Sequence, residues 1–153
     1  MRALAKLLLF ITVSAVVTRV AALVVSKQLT EGTEVSDEFR RVVLLDGLDF
    51  TSRAGGLRSA EISVVLGGAK FDLRHAVIDP AGARLLIENT MGGLAVLVRE
   101  DWAVTVRPTI LGGGEVDVNV STPGELADDA PVVEIDLITR LGGSIISSSA
   151  DEV

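Results

Sequence analysis

Four times the chain sets a bulky hydrophobe before a Gly-Gly pair and then resumes with alternating apolar residues. The copies are Leu66-Gly67-Gly68, Met91-Gly92-Gly93, Leu111-Gly112-Gly113 and Leu141-Gly142-Gly143, followed three residues later by Phe71, Val96, Val116 and Ile146. A phrase that recurs, alternating at the period of a strand, marks stacked structural units rather than one pocket-forming sheet. The pairs recur at intervals of 25, 20 and 30 residues, and the longest interval contains an irregular stretch with Pro123 and Pro131. Such spacing suits short strands joined by tight turns. Glycine suits those turns because it accepts positive φ and lets backbones approach closely. The expectation is an all-β fold, a short parallel β-helix of about four to five coils, with Gly67, Gly68, Gly92, Gly93, Gly112, Gly113, Gly142 and Gly143 as its structural turns. An antiparallel sandwich is the competing reading. With four Phe, one Trp and no Tyr, the interior must be filled by small aliphatic side chains.

The head of the chain has another character. From Leu7 to Val25 it is apolar, with Arg19 the only charge, close to the roughly 20 residues that cross a bilayer as a helix. Residues 1–25 therefore read as a single-pass transmembrane anchor, that is, an N-terminal hydrophobic helix at the cell membrane. A cleaved signal peptide and an interfacial helix are the alternatives. Residues 26–41 read as a linker, 42–149 as the β-helix domain and 150–153 as a flexible tail. Residues 1–30 hold Arg2, Lys6, Arg19 and Lys27 and no acid, so all 21 acidic residues fall in the rest of the chain. So acidic a body excludes nucleic acid as a partner, because phosphate neutralisation needs clustered Lys and Arg. The positive charges flanking the apolar segment are nearly balanced and do not assign a side of the membrane.

The stretch Ile62–Asp79 (ISVVLGGAKFDLRHAVID) resembles the LiaF-like C-terminal domain of the cell-wall-active antibiotic response family. The phrase Leu66-Gly67-Gly68-Ala69-Lys70-Phe71-Asp72-Leu73-Arg74 carries the likeness, and the later Gly-Gly copies and Asp101-Trp102 extend it over roughly residues 45–149. The resemblance implies a right-handed parallel β-helix and a role in envelope stress, with a membrane sensor kinase as partner and the domain on the cytoplasmic face. The single apolar segment departs from the multi-span bundle of that family's best-known member.

Catalytic motifs are missing from the text. No Gly-Lys dipeptide exists for a phosphate loop, and Gly112-Gly113-Gly114-Glu115 opens a strand rather than a helix. His75 is the only histidine, no Gly-x-Ser-x-Gly elbow accompanies it, and with Asp72 and Asp79 nearby it reads as a solvated surface residue. Glu125, Asp128 and Asp129 lack the alternate spacing of a calcium loop. No catalytic, cofactor-binding or metal-ligating residue is nominated. Trp102 is either core beneath a turn or a surface interaction anchor. The functional expectation is a non-enzymatic regulatory or interaction module of the cell envelope. The alternative is a bactofilin-like self-assembling scaffold.

Overall fold

The computed structural model describes residues 18–148. Residues 18–29 are helical, followed by ten strands: β1 (Glu38–Leu44), β2 (Gly47–Thr51), β3 (Ser59–Val65), β4 (Gly68–Asp72), β5 (Ala83–Thr90), β6 (Gly93–Leu97), β7 (Ala103–Leu111), β8 (Glu115–Asn119), β9 (Val132–Arg140) and β10 (Gly143–Ser147). They form two five-stranded sheets, ordered β1-β3-β5-β9-β7 and β2-β4-β6-β10-β8, and every pairing is parallel. Each odd-numbered strand turns a corner into the even-numbered strand of the other sheet, so the body consists of five stacked tiers.

The alternation in the sequence sets the faces. β9 reads exposed-buried-intermediate-buried along VVEIDLITR, which puts Val133, Ile135 and Leu137 at 0% exposure. Side chains of both sheets meet in one core. Leu57, Ile62, Phe71, Leu85, Ile87 and Ile146 are fully buried there, each worth about 1.5–3 kcal/mol of transfer free energy. Near the first tier the core is aromatic: the Phe39 and Phe50 rings lie 5.0 Å apart and Phe50 and Phe71 5.7 Å apart.

The tiers do not follow chain order, and this corrects the expected β-helix. The pair β9/β10 inserts between β5/β6 and β7/β8, so the architecture is two parallel sheets with a displaced last pair rather than a succession of coils. Pro108 supplies the physical reason. The Ala103 N–H bonds Pro131 O beside β9, whereas the Val104 N–H bonds Ser121 O on the opposite side. By alternation along the strand, the nitrogen of Pro108 faces that outer edge, where no ladder bond within the chain is forfeited. In an interior strand it would break the ladder. β9 carries no proline and takes the interior place.

The expected membrane anchor is also corrected. The helix of residues 18–29 contains Arg19 and Lys27 and runs past the anticipated end at Val25. Among the described residues no helix is long and apolar enough to cross a membrane, which removes the basis for a single-pass location at the cell membrane. Residues 7–17 of the anticipated anchor and 150–153 of the anticipated tail lie outside the described residues. The linker reading of 26–41 gives way as well. β1 begins at Glu38, and Phe39 and Arg41 are buried.

Candidate functional site

The corners between tiers hold the most unusual backbone in the molecule. Positive φ falls on the hydrophobe before the glycines: Leu45 at 55°, Leu66 at 53°, Met91 at 55° and Leu141 at 51°. Left-handed backbone costs an L-residue with a Cβ roughly 1–2 kcal/mol. The N–H of each such residue is tied to the next tier: Leu45 to Val65 O at 3.0 Å, Leu66 to Thr90 O at 3.0 Å, Met91 to Arg140 O at 2.8 Å and Leu141 to Leu111 O at 3.3 Å. A second rail runs beside it, from Gly68 N to Asp46 O at 3.1 Å, Gly93 N to Gly67 O at 3.0 Å and Gly143 N to Gly92 O at 3.0 Å.

The two glycines of each pair have different reasons to be there. A Cβ on Gly67 would collide with the Asp46 carbonyl, one on Gly142 with the Gly92 carbonyl, and one on Gly92 would lie 2.5 Å from Gly67 O. The first glycine is therefore demanded by close stacking of backbones. Gly68, Gly93 and Gly143 face open space. The third copy is built otherwise. Gly112 and Gly113 have φ of 65° and 86°, and Gly114 takes the close-packed place, with its Cβ position 3.3 Å from Gly142 O. One extra residue in that corner displaces the pattern, so the third pair supplies the conformational freedom that the other pairs do not.

The strained hydrophobes stand outward. Leu66 is 45% exposed, Met91 52% and Leu141 58%. In the outermost tier Gly112 holds the left-handed corner, and Leu111, 45% exposed, is in register with Arg140 in the row beside it. Adjacent tiers lie about 4.8 Å apart, so Leu45, Leu66, Met91 and Leu141 form an apolar ridge roughly 14 Å long, with half-buried Leu45 in the first tier. Beside it on the outer face of the first sheet, Leu44, Val65 and Thr90 are half-buried.

The other candidates do not assemble. The His75 Nε2 lies 4.0 Å from the Asp72 Oδ2. Arg74 already holds that carboxylate through Nε at 2.9 Å and a terminal nitrogen at 2.7 Å, and these bonds keep Asp72 below the usual carboxylate range despite desolvation. Asp79 accepts the Ala81 N–H at 2.9 Å and is spent in its turn. Glu125 accepts the Thr122 N–H and hydroxyl, which lower its pKa. Asp128 and Asp129 are exposed. Among the described residues no three His, Asp or Glu side chains converge as a metal site. Trp102 is 2% exposed, which corrects its reading as a surface anchor: it packs beneath the turn that precedes β7.

Two grooves lie on the sheet faces. One, of about 660 Å³ on the outer face of the first sheet, is bordered by Arg40, Glu61, Arg84 and Asp136. Its charges are satisfied internally, Arg40 by Glu61 at 2.6 Å and Arg84 by Asp136 at 2.7 Å. The other, of about 480 Å³ on the second sheet, has a floor of Gly93, Ala95, Gly143 and Ile145 beside Glu115 and Asp117. No known protein family, curated protein or solved structure matches this chain.

Proposed function

We propose that the chain is a non-catalytic protein-interaction module that engages its partner through the corner ridge of Leu66, Met91 and Leu141. The observation that carries this reading is the coincidence of strain and exposure. Glycine or asparagine would hold a left-handed corner at lower cost, and neither would place a large apolar side chain in water. Three large hydrophobes at about half exposure in strained backbone serve nothing in the isolated fold that a smaller residue would not serve. Ordered apolar patches of this kind mark interaction sites. The regulatory setting, cell-envelope stress with a signalling protein as partner, rests on the phrase from Leu66 to Arg74 alone.

The test separates interaction from folding. A photoreactive residue in place of Thr90, beside the ridge, should crosslink a defined protein in cells, and one in place of Asp49 on the opposite sheet should not. The triple variant Leu66→Asn, Met91→Asn, Leu141→Asn should keep or raise its melting temperature and lose the crosslink. A variant that melts several degrees lower while crosslinking as before would assign the ridge to folding.

A further inference from the structure

The outermost tier, β7/β8, ends the body with only partial cover: Val120, Thr122 and Pro123 border an apolar groove of about 460 Å³ with Val106, Pro108 and Val118. The inward-facing Val106 and Val116 are only partly buried, Ile110 and Val118 are 49% and 40% exposed, and Pro108 is exposed as well. The backbone is open too. Glu115 N–H bonds Gly142 O, and Asn119 O accepts from Ser148 N–H, both beside β10. The peptide groups of Val116 and Val118 therefore point away from the body, as do those of Val106, Pro108 and Ile110 on β7. The segment after β8 takes one of these groups, the Val104 N–H, through Ser121 O.

We infer that this end pairs with the same end of a second copy, β7 of each chain running antiparallel to β8 of its partner to close a twofold dimer. Two open edges on the two sheets of one sandwich present what a like end lacks: unpaired backbone at sheet spacing and an apolar interior between. Charge chooses between the two possible twofold arrangements. Arg107 stands at the middle of β7 and Asp117 at the middle of β8, both on outward faces. Pairing β7 with β7 would set Arg107 against its own copy and Asp117 against its own, and like charges directly opposite are destabilising. Pairing β7 with β8 sets Arg107, which its own Glu134 and Asp136 hold at 2.9 and 2.7 Å, beside Asp117 twice.

In that register Val106 faces Val118 and Pro108 faces Val116; the Val116 N–H donates to the Pro108 O, and the return bond to the Val116 O is the one the ladder forfeits at the proline. The far end of the body is closed by residues 30–37, so the contact stops at two copies and does not propagate.

The chain has no cysteine, which makes disulfide trapping specific. Thr109 and Glu115 fall opposite each other as a pair without mutual backbone bonds, whose Cα separation of about 4.5 Å suits a disulfide. Within one chain they lie on opposite outer faces and cannot meet. Under mild oxidation, full-length Thr109→Cys mixed with full-length Glu115→Cys should give a covalent heterodimer, and Asp49→Cys should give none. Unmodified full-length protein should sediment as a dimer. Val118→Lys should weaken association at least ten-fold with an unchanged circular dichroism spectrum. Monomer at every concentration, long filaments, or crosslinking of Thr109→Cys mainly with itself would each overturn the proposal.

Discussion

The two ends of the tier stack are made from similar strands and finished in opposite ways. At the β1/β2 end, the chain entering the fold lies across the edges. Glu31 and Arg40 exchange backbone hydrogen bonds at 2.9 Å, Arg53 N–H bonds Glu34 O at 2.6 Å, and Asp37 accepts from Gly56 and Arg58. Arg41 closes the interior itself. Its guanidinium carbon lies 4.4 Å from the Phe50 ring centroid, and its nitrogens reach the carbonyls of Glu31, Gly32 and Arg40. Desolvation lowers its pKa, with the carboxylate of Glu34 acting against the shift. At the β7/β8 end no such set of hydrogen bonds lies over Ile110 and Val118, and Thr122 and Pro123 only border a groove beside Val118. Parallel stacking generates an uncovered face at both ends by construction. The chain spends buried hydrogen bonds and a cation–π contact on one and leaves the other to proline, acidic side chains and, on the inference above, a second copy.

The largest effect that this contrast predicts is in the core beneath each end. Phe50→Ala, at 5% exposure, should cost about 3–5 kcal/mol of unfolding free energy. Ile110→Ala, half-exposed at the open end, should cost less than about 1 kcal/mol in the monomer. Urea titrations of the two variants measure the difference, and equal losses would mean that the open end is covered in solution.

Next comes the seal. Arg41→Gln removes the cation–π contact and the charged donor from three carbonyls, with an expected cost of about 2–3 kcal/mol. Arg107→Gln at the other end breaks exposed ion pairs with Glu134 and Asp136 and should change monomer stability by no more than about 1 kcal/mol. Melting in high salt should narrow the effect of Arg107 and leave that of Arg41.

The smallest effect is a pH dependence. Asp72 sits below the ordinary carboxylate range in the folded chain because Arg74 bonds it. The unfolded state then binds the proton more readily, so this contribution is present above about pH 4 and is lost as pH falls through the folded value. Asp72→Asn should melt lower at pH 7 and respond less to acid between about pH 4 and pH 2. A variant with the full acid response would locate the sensitivity elsewhere, for instance at Asp101, which Arg99 lowers in the same way.

Several parts of this fold were legible beforehand, and the misreadings have physical causes. The strands after Leu66, Met91 and Leu141 could be read because alternation is a property of neighbouring residues. The start of β1 was missed because Glu38, Arg40 and Arg41 look like linker: Arg41 is a charged residue at an inward position, made tolerable only by Phe50 and three carbonyls from elsewhere in the chain. The anchor reading took apolar text at face value where the described helix carries charge at both ends. Of the ridge, Leu66, Met91 and Leu141 are legible as first members of the repeats, but their left-handed backbone arises from stacking and carries no local signal.

The chain's local text by itself determined that there would be strands, corners between them and close packing at Gly67, Gly92 and Gly142, since periodicity and the absence of a Cβ act over a few residues. One tertiary fact is also written there: Pro108 assigns β7 to an edge of its sheet. Only the tertiary structure decided the order of the tiers, because parallel pairing compares every strand with every other and the interior goes to the one that leaves no backbone group unpaired. It likewise decided that the left-handed turn falls on Leu66, Met91 and Leu141. The glycine after each must lie flat against the carbonyl of the tier below, and that constraint exists only once the tiers are stacked.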